Sequence, residues 1–184
     1  MKKFMYLFIA LTLLVSVGVV SCDKVKDALE ITLKDVKFDV DINVAELTTK
    51  DGGVTFGGSG TIDPASIPEL ADYLALIRGV NVTEIKVTVI SVTPATGLSL
   101  NSASFSITDM VNNANFTYQI TSPVPITVGT EFVINSSTPN FNVVSEIISS
   151  LHEANVVAGG NVSQAGFVLG FNYSITADVT VGVP

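Results

Sequence analysis

The chain is poor in the side chains that most often carry chemistry. Its 184 residues include one cysteine, one histidine and no tryptophan. A single cysteine excludes an intramolecular disulfide and any metal site built from clustered cysteines. A single histidine means that a Ser-His-Asp or Cys-His site has to be built on His152. Without tryptophan, the best aromatic platform for stacking a sugar ring is missing. Positive charge is scarce too: nine Lys and Arg stand against 17 Asp and Glu, a formal charge of -8. That balance argues against nucleic acid as a partner, which needs a basic patch. No G-x-S-x-G, H-E-x-x-H or P-loop sequence occurs. Gly57-Gly58-Ser59-Gly60 is glycine-rich, but no G-K-[ST] follows it. No cofactor is expected, and an enzyme is the reading with least support.

Hydrophobic and β-branched residues are plentiful. The chain is 47% hydrophobic and only 14% charged, which is not a disordered composition. Its length suits one domain, with enough chain to bury a core unaided by disulfide or metal.

Residues 1–21 have the form of a secretory signal. Lys2 and Lys3 precede an apolar run from Phe4 to Val20, and such a segment stands outside the fold. The run ends Val19-Val20-Ser21-Cys22. Hydrophobic, hydrophobic, small, Cys resembles the lipobox of bacterial lipoproteins, and the Ser-Cys-Asp-Lys junction is similar to lipoproteins of the Bacteroides group. The resemblance covers about the first 25 residues and identifies no domain family. It implies that the signal is cut before Cys22, that the Cys22 thiol is diacylated, and that its new amino group is usually acylated as well. Two or three acyl chains, at ~0.8 kcal/mol per buried methylene, hold a protein stably to a bilayer. It further implies a cell-envelope location, at the outer membrane or cell surface rather than the inner membrane. Residues 22–30 then form the acylated Cys and a tether, and residues 31–184 a single β-rich domain. With Lys2 and Lys3 removed, the mature net charge is -10.

Within the domain, Val36, Phe38, Val40, Ile42 and Val44 alternate with Lys37, Asp39, Asp41 and Asn43. This is the period of a strand with one buried face. Asp51-Gly52-Gly53 predicts a hairpin turn, and Val54 to Ile62 the return strand, its glycines marking a bulge or close packing. Ser66 and Glu69 fit a capping box, and Ile67, Leu70, Ala71, Leu74 and Ile77 fall on one helical stripe. A helix is therefore predicted from Ser66 to about Arg78. Strands are predicted over 85–89, 98–107, 114–120, 126–128 and 131–134. A second helix is predicted over Val143 to Leu151, a turn at Gly159-Gly160, and a long strand from Phe171 to the C-terminus. The two helical segments align at an offset of 74 residues. Either a strand–helix–strand unit is duplicated, or two amphipathic helices match once slid to best register. The expected fold is mainly β (α+β): an antiparallel β-sandwich, or a sheet covered by two short helices.

Few residues are candidates for a site. Asp39 and Asp41 share one strand face about 6.5–7 Å apart, a spacing that suits a paired-carboxylate or Ca²⁺ site. Lys37 stands among them, and the plain alternative is a solvated strand face. His152 reads as a surface or packing residue. Tyr73, Tyr118 and Tyr173 fall on core parities. Asn81, Asn115, Asn135, Asn161 and Asn172 each begin an N-x-[ST] triplet, expected by chance in so Asn/Ser/Thr-rich a chain. From Val87 to Pro184 there are five charged residues, all acidic, so the distal half should present a nearly neutral surface. The expected function is a lipid-anchored binding or structural module, its membrane contact through Cys22 and its partner an envelope protein or glycan. A fibre subunit exchanging the strand from Phe171 and a carrier of an apolar ligand between sheets are the alternatives.

Overall fold

The computed structural model describes residues 30–48, 54–94 and 96–182. The expectations for the signal, Cys22, most of the tether and the Asp51-Gly52-Gly53 turn lie outside the described residues. Among the described residues, nine antiparallel strands build the domain: β1 (Glu30–Thr48), β2 (Val54–Ile62), β3 (Ile77–Thr93), β4 (Ser99–Asp109), β5 (Asn115–Ile120), β6 (Val124–Pro125), β7 (Glu131–Asn135), β8 (Ala154–Val162) and β9 (Val168–Gly182). One α-helix, α1 (Asn142–Ser149), lies between β7 and β8.

The strands form two facing sheets. The first runs β1-β9-β3-β7, and the second β2-β8-β4-β5, with β6 beside the start of β4. β1 joins them. Its residues from Glu30 to Val44 pair with β9, and Ala45 to Thr48 pair with β2. This order is that of a jelly roll, two interlocked Greek keys folded into a sandwich. The expected mainly-β sandwich is therefore what the chain forms. Alternation carries it: Val36, Phe38 and Ile42 of β1, and each odd-numbered residue from Leu169 to Val181 of β9, are buried. Phe105 of the second sheet meets Phe132, Phe171 and Tyr173 of the first, with centroids 5.8, 5.3 and 5.9 Å apart. Where β1 changes sheets it presses on β2. A Cβ on Gly58 would lie 2.7 Å from the Asn43 carbonyl oxygen, and one on Gly60 2.6 Å from Val40. The expected close packing at these glycines is thus an inner-face contact with β1.

The helix expected from Ser66 is absent. Residues 64–66 and 74–76 are separate 3-10 turns, and Ile77 already begins β3. Pro68 disfavours helical geometry for the residue before it, and Ile67 is extended at φ -77°, ψ 116°. Asp63, not Ser66, caps the first turn, its Oδ1 accepting from Ala65 N at 2.9 Å. At the far end, pairing of Ile77 with Val181 takes the last residues of the stripe into the sheet. Leu70 still reaches the core, fully buried, whereas Tyr73 is left 37% exposed rather than in the core. The chain therefore has one of the two short helices expected, and the strand–helix–strand unit does not recur. What the two aligned segments share is their task. Each crosses between the sheets at the same end of the sandwich and drops apolar side chains into it. Gly159 and Gly160, expected in a turn, lie inside β8.

The second helix is present, two residues shorter than its apolar pattern at the C-terminal side. It does more than bury Val144, Ile147 and Ile148. β7 stops at Asn135, opposite Glu84, leaving the start of β3 as an open edge. There Ser145 Oγ accepts from Val82 N at 2.9 Å, and Ser149 Oγ donates to the Val80 carbonyl at 3.4 Å. Helix side chains thus occupy the edge that another chain's strand would seek. β9 itself is paired along both sides, by β1 and by β3.

Candidate functional site

The second sheet turns an uncharged face to solvent. Its outward positions are Thr55, Ser59 and Thr61 on β2, Asn155, Val157 and Asn161 on β8, Ser102, Ser104, Ser106 and Thr108 on β4, and Asn115, Thr117 and Gln119 on β5. Gly57 and Gly159 pair across it. The neutral distal surface anticipated from the charge distribution is this face. Amides and hydroxyls bond to one another across strands: Asn161 Nδ2 to Ser102 Oγ at 2.9 Å, and Asn115 Nδ2 to Thr108 Oγ1 at 2.6 Å. Asn172 Nδ2 donates to Asp41 Oδ1 at 2.8 Å, and Asn135 Oδ1 accepts from Ser137 N and Oγ at 3.0 and 2.7 Å. Four of the five N-x-[ST] asparagines are thus held by folding contacts.

Asp39 and Asp41 lie on the exposed face of the first sheet. Asp41 is bonded to Asn172, and Asp39 stands opposite Ser174. Among the described residues no three His, Cys, Asp or Glu side chains come together as a metal site. Asp39 instead belongs to a groove of about 660 Å³ between β1 and the turn at Ile67–Glu69, which also carries Lys34, Asp35, Lys37 and Glu69. Lys34 Nζ binds Asp178 Oδ2 at 2.5 Å across a bulge in β1 where Asp35 has φ +54°. That hydrogen bond from Lys34 holds the Asp178 carboxyl below its usual range.

His152 has a partner that sequence spacing does not reveal. Its Nδ1 is 3.3 Å from both oxygens of Asp109. Asp109 ends β4 and is the single buried charged side chain among the described residues. Its Oδ1 accepts from Asn112 N at 3.0 Å and Val111 N at 2.7 Å, and its Oδ2 from Asn112 Nδ2 at 3.2 Å. These bonds, that from Asn112 N foremost, outweigh burial and hold the carboxyl well below the usual carboxylate range. The pair braces the β4–β5 turn and carries no aligned nucleophile. The nearby Ser150 hydroxyl donates to the Ile147 carbonyl at 2.7 Å and accepts from His152 N at 3.2 Å. A depressed carboxylate stabilises the fold above its unfolded pKa of about 3.9, and that contribution is lost as pH falls below it. Asp109→Asn should therefore lower the Tm at neutral pH and flatten its fall between about pH 5 and pH 2. Circular-dichroism melts across that range check it, and parallel curves for the two proteins would refute the assignment.

A second groove, of about 610 Å³, lies beside the open edge of β3. Asn81 and Val82 form one wall and residues 136–142 with Ser145 the other. Every polar side chain in it is an amide or a hydroxyl. The loop is held from within: Thr138 N donates to the Asn135 carbonyl, Phe141 N to the Thr138 carbonyl, and Val143 N to the Asn140 carbonyl. Phe141 is buried and stacks edge-on against Phe116 at 6.2 Å. Nothing in the apolar periodicity marks this groove; the Asn-Ser-Ser-Thr-Pro-Asn run at 135–140 reads simply as a loop.

No protein-family model matches the sequence, and no curated protein matches it. Among solved structures, one of Desmodium yellow mottle tymovirus is 13% identical over 84% of this chain and 89% of that one, at a TM-score of 0.35. The BFDV capsid protein in its decameric form is 11% identical over 83% and 99%, at 0.42. A carbohydrate-binding module from the glycoside hydrolase family 9 protein Cel9A of Ruminococcus flavefaciens FD-1 is 10% identical over 79% and 100%, at 0.29. At such scores these likenesses add nothing to what the strand order itself establishes.

Proposed function

We propose that the protein is a lipid-anchored module of the cell envelope, at the outer membrane or cell surface, that binds a neutral, hydroxyl-rich partner of the glycan class. The observation that carries this reading is the uncharged amide and hydroxyl surface of an otherwise acidic chain. Such a surface offers hydrogen bonds without the ionic attraction that would draw nucleic acid or charged peptides. Anchoring follows from Cys22 at the end of the signal-like run. The eight steps along the chain from Cys22 to Glu30 reach at most about 27 Å, and Glu30 leaves the sandwich at its helix-capped end, opposite Gly182. The fibre alternative loses the strand it would exchange, because β9 is already paired on both sides. The carrier alternative meets a ring cluster of Phe105, Phe132, Phe171 and Tyr173 where a ligand between the sheets would sit.

Cys22→Ala tests the anchor. The variant is expected to remain an uncut precursor that takes up no labelled palmitate, while the parent chain labels and fractionates with membranes. Processing and labelling that persist without Cys22 would end this reading.

A further inference from the structure

We infer that the groove between Asn81 and the 136–142 loop is a saccharide-binding site, taking a neutral mono- or disaccharide unit. The inference rests on the glycan-binding reading above and adds to it a place and a chemistry.

Among the described residues, the concavities at Ile67–Glu69 and at Asn140 are of nearly equal size, and charge separates them. The groove at Ile67–Glu69 carries Lys34, Asp35, Lys37, Asp39 and Glu69. The groove at Asn140 has no ionisable side chain in its walls. On a chain with 17 acidic residues, a wall of amides and hydroxyls favours a ligand with no charge to match. Its volume of about 610 Å³ falls in the ~300–1,000 Å³ range of small-molecule sites. The open face of the second sheet has the same chemistry, but its concavity over Ser102, Ser104, Gln119 and Gly159 is only about 240 Å³, below the range of small-molecule sites. Hydrogen bonds made there would exchange against bulk water for little net gain.

The walls also match the two characters of a pyranose. Pro139, exposed in the wall, supplies apolar surface for ring C–H groups, while Val82 and Phe141 line the groove almost wholly buried. Asn81, Thr138 and Asn140 supply donors and acceptors for hydroxyls. Asn140 is fixed in the left-handed region at φ +61°, and the loop's internal hydrogen bonds set its shape before any ligand arrives. A preformed loop loses less conformational entropy on binding.

The test uses the processed, detergent-solubilised full chain. Methyl glycosides of glucose, galactose, mannose and N-acetylglucosamine are supplied at roughly 10 mM, above the ~1 mM scale of weak binding. The readout is hydrogen-exchange mass spectrometry. At least one glycoside should slow exchange across residues 136–142. Asn81→Ala with Asn140→Gly should weaken that protection at least ~10-fold in concentration, about 1.4 kcal/mol. Glycine accepts the positive φ, so the loop keeps its path, and an unchanged Tm verifies this. Protection should not depend on salt, and glucuronate should do no better than glucose. Three results would overturn the site: no protection at 136–142 with any probe, protection that the double variant leaves intact, or preference for glucuronate. Protection confined to β4, β5 and β8 would overturn the site yet leave the glycan-binding reading standing. Binding nowhere would remove both.

Discussion

Replacing Gly160 by alanine should cost the fold at least about 3 kcal/mol, while the same change at Gly159 should cost less than about 1 kcal/mol. The two glycines are neighbours in β8 and point to opposite faces. A Cβ on Gly160 would sit 2.2 Å from the Ser102 carbonyl oxygen, 2.8 Å from Ala103 Cα and 3.0 Å from Phe56 Cε1. Two of the three obstacles are backbone, so no rotamer change relieves them. β4 would have to move away from β8, at the place where their register already shifts between Leu100 and Ser102. Overpacking usually costs ~1–3 kcal/mol, and backbone obstacles place this case at or above the top of that range. At Gly159 the nearest atom is the Phe56 carbonyl oxygen at 3.5 Å, an ordinary contact on the solvent side. Urea unfolding of both variants gives the comparison. Equal losses, or a stable Gly160→Ala protein, would show that β4 and β8 are not so closely apposed.

That pair of glycines also shows where sequence reading stops. Gly159-Gly160 carries the local signature of a turn, and only the long-range pairing with β2 and β4 makes it strand. The helix expected from Ser66 failed in a similar way. Its apolar stripe was genuine, since Leu70 is buried, but Pro68 broke the segment and β9 recruited Ile77. The strands, by contrast, were legible because each buries one face. Val36 to Val44 and Phe171 to Val181 announce the period directly, and those two runs become the pairing of β1 with β9. Chemistry was harder to see. Asp109 and His152 are 43 residues apart and meet because the end of β4 faces the start of β8. The saccharide groove joins Asn81 to Asn140, and it exists because β7 is too short to cover β3. Neither length nor spacing encodes such a juxtaposition; strand order does.

Phe105→Ala is expected to remove about 3–5 kcal/mol of stability, the range for a buried aromatic truncated in a core. Phe105 has no exposed surface. From the second sheet it reaches three rings of the first, tilted at 39° to Phe132 and nearly perpendicular to Phe171 and Tyr173, at 77° and 72°. Edge-to-face pairs add ~0.5–1.5 kcal/mol each beyond the area they bury. One ring therefore joins the two sheets through three contacts, beside the further one that Phe56 of β2 makes with Phe171 at 6.0 Å. Domains are stable by only ~5–15 kcal/mol, so the variant should lose about a fifth or more of its margin and unfold at much lower urea. Phe105→Leu should fall between the two, because it keeps apolar volume but loses the ring edges. Phe105 does not line the groove at 136–142, so a folded Phe105→Leu protein should keep the saccharide protection there unchanged. A Phe105→Ala protein as stable as the parent would mean that the sheets are held together elsewhere. A Phe105→Leu protein that folds but loses the protection would mean that the groove depends on the packing of the core centre and not on its own loop.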